Sequence, residues 1–193
     1  MLKKTLLAAL VFGVATTAVQ ANEVSGYATY SLGQTDSKGF NTKKKVGHKV
    51  VVGLQANEFV GLEAQYTDLG KPKDKYSDRI SGIDVTAKGT AQTRGIGANL
   101  VGTLPLNDFK LFAKVGYHRL ETKIKATGVG TDGTNTATVR VSGKEREWVP
   151  SFGVGGAYIL TSELDLVAEY ERYKDVADAY NVDFASVGIR YKF

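Results

Sequence analysis

The 193-residue sequence contains no cysteine and only two histidines. Without thiols there is no disulfide framework and no cysteine nucleophile. His48 and His118 are the only side chains available as bases near neutrality, which leaves little for an enzyme to use. Long apolar runs are missing too. After Ala21 no stretch approaches about 18 apolar residues, so a membrane helix is excluded. A membrane barrel survives that test, because its strands alternate and score poorly in any hydropathy window. Charge of one sign is also scarce. There are 25 Lys and Arg, two of them among the first 21 residues, against 20 Asp and Glu, so the chain beyond Ala21 carries an excess of three positive charges. That mild balance points to no nucleic-acid partner.

The first segment, MLKKTLLAALVFGVATTAVQA, sets Lys3 and Lys4 before an apolar run from Leu6 to Val14, then small residues up to Val19, Gln20 and Ala21. This is the pattern of a secretory signal, with cleavage expected after Ala21. Residues 22–193 then form one domain, long enough to bury a sizeable surface.

Alternation with period two dominates that domain. In HKVVVGLQA, Val50, Val52, Leu54 and Ala56 oppose Lys49, Val51, Gly53 and Gln55. VGLEAQYTDL, RGIGANLVGTL, FKLFAKVGYHRLE, WVPSFGVGGAYIL and LDLVAEYERY follow the same rule, with short turns at 57–59, 105–108 and 161–163. Adding 24–34 and 183–193 gives eight strands. Three short connections alternate with four long ones, near 35–45, 70–91, 122–147 and 175–182. IDVTAK at 83–88, and TVRV at 138–141 facing KIKA at 123–126, keep some alternation, so strands are expected to continue as hairpins into solvent.

Which face is wet follows from content. The apolar face holds Val, Leu, Ala, Ile and aromatics for about nine residues per strand. The polar face mixes Gly, Thr, Ser and Gln with few charges, which suits a crowded narrow lumen whose charges must pair. Tyr66, Tyr117, Trp148 and Tyr170 fall near one end of the strands, and Tyr158, Tyr191 and Phe193 near the other, as two membrane interfaces would select. The expectation is an all-β, eight-stranded antiparallel up-and-down transmembrane barrel in the outer membrane of a Gram-negative bacterium. The termini and short turns would be periplasmic and the long loops outside.

At this point VGLEAQYTDLGK, the segment from Gly95 to Gly116 around Pro105, PSFGVGGAYILTSELDLVAEY and the terminal SVGIRYKF resemble the eight-stranded OmpA-like transmembrane domain of bacterial outer membrane proteins. The resemblance implies an interior network of charged pairs, on which Glu63, Glu169 and Lys114 match family positions and Lys49 and Arg190 would join. It also places Val101, Ala157 and Val167 where the family pattern has a lysine, a glutamate and an arginine. Tyr191 and Phe193 look like the signal read by outer-membrane assembly machinery. The chain stops at Phe193, so no cell-wall tether is implied.

The expected role is structural or adhesive, with the lumen charges either satisfying one another or gating a small passive pore. Lys43, Lys44 and Lys45 could meet lipopolysaccharide phosphates at the outer rim, or simply be solvated. Host or phage ligands would meet the loops, and the barrel is expected to be a monomer. A lipid-modifying enzyme would have to use His118 with Glu121. GVGTDG, from Gly128 to Gly133, matches a dinucleotide fingerprint but is followed by no helix and reads as a turn. No catalytic site, metal or cofactor is expected.

Overall fold

A computed structural model of the protein describes residues 24–37, 45–71, 73–80, 83–131, 135–176 and 180–193. The expected export signal and the residues Lys43 and Lys44 lie outside these segments. The described residues form nine strands: β1 (Ser25–Ser37), β2 (Lys45–Gln55), β3 (Val60–Asp68), β4 (Lys73–Ile80), β5 (Ile83–Leu106), β6 (Phe109–Thr131), β7 (Thr136–Ile159), β8 (Leu164–Val176) and β9 (Tyr180–Lys192). Eight of them close a ring in the order β3-β2-β1-β9-β8-β7-β6-β5, with β3 pairing back to β5. Every ladder is antiparallel, and β1 meets β9 from Tyr27↔Lys192 to Ser37↔Val182. This is the up-and-down barrel that the alternation predicts. Closure leaves no edge in the ring, so each backbone N–H and C=O at membrane depth finds a strand partner.

The turns at one end are tight, and their side chains explain why. Asn57 Oδ1 accepts from the backbone N–H of Phe59 and Val60. Thr161 Oγ1 does the same for Glu163 and Leu164. Between Leu106 and Phe109, Asn107 adopts the left-handed conformation (φ 51°) that a two-residue turn requires.

At the other end β5, β6 and β7 run on far past the ring. Each has 23 or 24 residues, roughly 80 Å at ~3.3 Å per residue, whereas a membrane crossing needs only about 9–11. The surplus forms a four-stranded sheet from β4, 83–93, 122–131 and 136–147. β4 is a strand that the sequence does not announce, because KDKYSDRI lacks apolar alternation. The facing of 138–141 with 123–126 also needs correction. Val141 pairs with Ala126 and Thr138 with Val129, three residues nearer the tip. The register is set deep in the barrel, by pairs such as Lys114↔Gly153, and an unbroken ladder carries it upward.

The faces are inverted relative to a soluble protein. Val115 is 51% exposed, Val154 58% and Leu54 56%, while Lys49, Lys114 and Glu171 are at 1%, 3% and 0%. Apolar side chains therefore form the outer wall and charged ones fill the inside, the arrangement lipid demands. Tyr117 stacks on Trp148 at 5.5 Å near the long end, and Phe109 packs tilted against Tyr158 at 4.8 Å near the turn end, giving two aromatic belts.

Candidate functional site

Inward-facing positions converge on one buried polar layer. Glu171, Lys49, Glu169, Lys114, Glu63 and Arg190 form a row in which the sign of the charge alternates at every step. Lys49 Nζ lies 3.2 Å from Glu171 and 2.8 Å from Glu169. Lys114 Nζ lies 2.5 Å from Glu169 and 3.2 Å from Glu63. Arg190 closes the row 3.7 Å from Glu63, with its guanidinium 4.3 Å above the Tyr27 ring. Three cations against three anions leave no net charge among these six, the condition under which buried ions are tolerated.

Neutral groups satisfy what remains. Tyr27 Oη donates to Glu63 at 3.0 Å. The Gln65 amide donates to Glu171, while its carbonyl accepts from Asn99 at 3.0 Å and Lys114 at 3.3 Å. Space for these large side chains comes from directly across the ladder. Tyr27 faces Gly53, His118 faces Gly97, Asn99 faces Gly116 and Lys114 faces Gly153. A Cβ at any of the four glycines would run into that partner's side chain. The glycines of the polar face thus make a filled lumen possible in a narrow barrel.

The five charges expected in the lumen, Glu63, Lys114, Glu169, Lys49 and Arg190, are all placed there. Glu171, Gln65, Asn99 and Tyr27 were not anticipated. Glu171 and Gln65 stand two residues beyond Glu169 and Glu63, so parity alone could have found them. The pairing of His118 with Glu121 is not formed, because three residues apart on a strand point to opposite faces. His118 is buried in the lumen and donates from Nε2 to Asn99 Oδ1 at 2.9 Å, whereas Glu121 lies on the outer wall. Among the described residues no group of three or more His, Asp or Glu could hold a metal ion.

The three departures from the family charge pattern come together in space. Val101, Ala157 and Val167 are buried against Phe112 as one apolar cluster. A second cluster, including Leu120, Val149, Tyr173 and Phe184, fills the lumen toward the long end. The ionic row is bounded on both sides by apolar packing.

The outer wall changes character above Tyr117 and Trp148. On successive rungs it carries Arg119, then Arg94 and Arg146 around Glu121, then Lys123 with Lys144, then Lys125, and then Lys75, Lys88 and Arg140. Two carboxylates stand among these nine cations: Asp68, across the ladder from Arg94 and accepting from Gln92, and Glu121. Hydrogen bonds from Arg146 at 2.8 Å and from Lys144, with Lys123 beside them, pull the pKa of Glu121 down to about 2. Lys45 opens β2 with the inward parity of Lys49. Besides β4 to β7, β8 contributes outward cations, Arg172, which is paired with Asp183, and the exposed Lys174, whereas Lys45 does not join this wall.

The sequence matches the family described as outer membrane protein beta-barrel domain over residues 5–193. A comparison with curated proteins gives no match. Among solved structures the chain is similar to Ail, the attachment invasion locus protein of Yersinia pestis, in complex with the heparin analogue sucrose octasulfate. The two are 14% identical over 89% of this chain and 100% of that one, with a TM-score of 0.50. It is also similar to Neisserial surface protein A, at 16% identity over 89% of this chain and 98% of that one, TM-score 0.51. A major outer membrane protein from Thermus thermophilus gives 12% identity over 88% of this chain and 99% of that one, TM-score 0.52. At such identities the likeness to solved structures is one of fold.

Proposed function

This chain belongs to the outer membrane protein beta-barrel domain family, and from that premise we propose a structural role: a sealed barrel that binds the lipopolysaccharide around it through the basic wall of its long-end sheet. The observation that carries this reading is the unbroken alternation along β6. The face that presents Leu111, Val115 and Tyr117 to lipid goes on to present Arg119, Lys123 and Lys125 directly above. A wall that continues the lipid-facing surface points sideways, toward neighbouring headgroups, and anionic phosphates are the groups that nine cations against two carboxylates suit. A neutral, close-packed lumen bounded by apolar clusters supports a structural role over a passive pore.

The test is binding of purified barrel to lipopolysaccharide vesicles, with phosphates intact or enzymatically removed. Each cation near an anionic surface contributes ~1 kcal/mol, so the triple change Arg119→Gln, Lys123→Gln, Arg146→Gln should weaken binding about 100-fold. Dephosphorylation should weaken the unmodified protein to a similar degree. Equal binding by both proteins would refute the assignment. Retention of the variant's deficit on a sulfated polysaccharide, with none on lipopolysaccharide, would instead place the partner outside the membrane. The Ail structure, which holds a sulfated sugar, makes that control worth including.

A further inference from the structure

Above the barrel mouth the sheet of β4 to β7 sorts its residues by face. The nine cations of the wall all take outward positions, and among the described residues the inward positions of this sheet hold no lysine or arginine. Inward stand Tyr76 on β4, Ile124 on β6, and Val139 and Val141 on β7, each 45–64% exposed. Lipid accounts for such exposure lower down, on the outer wall. This face is turned the other way, over the mouth, where contiguous apolar surface in water marks a docking surface.

Its relief is that of a trough. Alanines and glycines of β5 and β6 make the floor, Tyr76 walls one side, and Val139 and Val141 wall the other. A Cβ added at Gly89, Gly128 or Gly143 would meet nothing within 4 Å, whereas the four lumen glycines make room for large partners. These three clear space for no side chain of their own molecule. Four strands at ~4.8 Å spacing make the trough about 14 Å wide, and the rungs from Ala91 to Val85 make it about 20 Å long at ~3.3 Å per residue. Those dimensions suit an α-helix, roughly 10–12 Å in diameter, over about 13 residues at ~1.5 Å rise. Carboxylates flank the trough on both sides. Asp78 on β4 accepts from the Tyr76 hydroxyl at 2.7 Å and the Arg79 N–H at 2.8 Å, and Glu145 on β7 is exposed. Their sequence neighbours do not neutralise them: Arg79 lies against Asp84, and Lys144 and Arg146 against Glu121, all on the outward face. A contact at ~4 Å outweighs several cations ~12 Å away across the sheet, because Coulomb energy falls with distance and salt screens it beyond about 8 Å.

We propose that this trough docks a cationic amphipathic helix of a partner peptide, laid apolar face down on the small-residue floor, with Lys or Arg on its flanks meeting Asp78 and Glu145. The carboxylates are acceptors only, so each takes an ammonium or guanidinium donor without a competing group. An acidic helix meets repulsion on both flanks. A helix without an apolar stripe leaves the floor and the two valines in water. The lipopolysaccharide wall is the opposite face of the sheet, and the proposal does not depend on that reading.

The experiment places the purified, folded barrel in nanodiscs of neutral phospholipid at physiological salt and follows the anisotropy of dye-labelled synthetic peptides, with empty discs subtracted. The probes are a helical Leu/Lys peptide of about 18 residues, its Leu/Glu counterpart, and a Ser/Lys peptide of the same length and charge. Leu/Lys should bind about tenfold more tightly than either of the others. Val139→Ser with Val141→Ser, both at exposed positions, should weaken it about tenfold. Asp78→Asn with Glu145→Gln should remove most of the preference for Leu/Lys over Leu/Glu, while Lys125→Gln with Arg140→Gln on the outward face should leave Leu/Lys binding undiminished. Leu/Glu binding as tightly as Leu/Lys to the unmodified barrel would make the trough a generic apolar surface and overturn the proposal. Binding that survives the two valine changes intact would place the peptide elsewhere and overturn it as well, as would no binding above that of empty discs.

Discussion

The two halves of β6 obey the same alternation and give it opposite meanings. From Phe109 to His118 the inward positions hold Phe112, Lys114 and His118, and the outward ones Leu111, Val115 and Tyr117. From Arg119 upward the assignment reverses. Arg119, Lys123 and Lys125 stand outward, while the inward face presents Ile124, Ala126 and Gly128 beside Val139 and Val141 of β7. The strand is continuous and no bulge interrupts the ladder, so backbone geometry does not cause the exchange. The surroundings do: lipid admits only apolar groups on the wall it touches, and above the aromatic ring that constraint is gone.

The comparison predicts where single changes should hurt. The largest effect belongs to the lumen. Lys114→Met leaves Glu63 and Glu169 short of a buried partner and should cost about 3–5 kcal/mol in urea unfolding of the micelle-bound barrel. A change below 1 kcal/mol would mean that water reaches the ionic row. Next comes the lipid-facing wall. Val115→Lys should cost about 2–4 kcal/mol in bilayers, while the converse change higher on the same face, Lys125→Val, should stay within about 0.5 kcal/mol. Equal penalties at the two positions would erase the boundary drawn at Tyr117.

The smallest effect concerns pH. Glu121 has its pKa lowered from the ordinary 4.5 to about 2 by its hydrogen bonds to Arg146 and Lys144. A depressed carboxylate stabilises the fold above its unfolded pKa, and that contribution is lost as pH falls from about 4.5 through 2. Amide exchange in 122–131 and 136–147, corrected for intrinsic rates, should accelerate over that window. The same segments in Glu121→Gln should show no such step.

How much of this the sequence announces depends on what sets each feature. The ring was legible because period two is intrinsic to a strand, and the inversion because lipid and a narrow lumen select different residues. The lumen charges were legible by parity, one strand at a time. What parity cannot give is the partner on a strand far along the chain. Glu171 meets Lys49 across 122 positions of sequence, and Val101, Ala157 and Val167 become one cluster only when β5, β7 and β8 curl around Phe112. The strand β4 was hidden for another reason. It lies in water on both faces, so nothing forces its side chains to alternate, and its pairing with β5 is the only feature that marks it.

The most direct test of the sealed lumen is planar-bilayer recording on the purified, folded protein. The ionic row, neutral and bounded by the Val101 and Leu120 clusters, predicts no steady single-channel conductance at moderate voltage in either the unmodified barrel or Lys114→Met. A stable, ohmic open level from the unmodified protein, altered by Lys114→Met, would contradict it and make the row a gate.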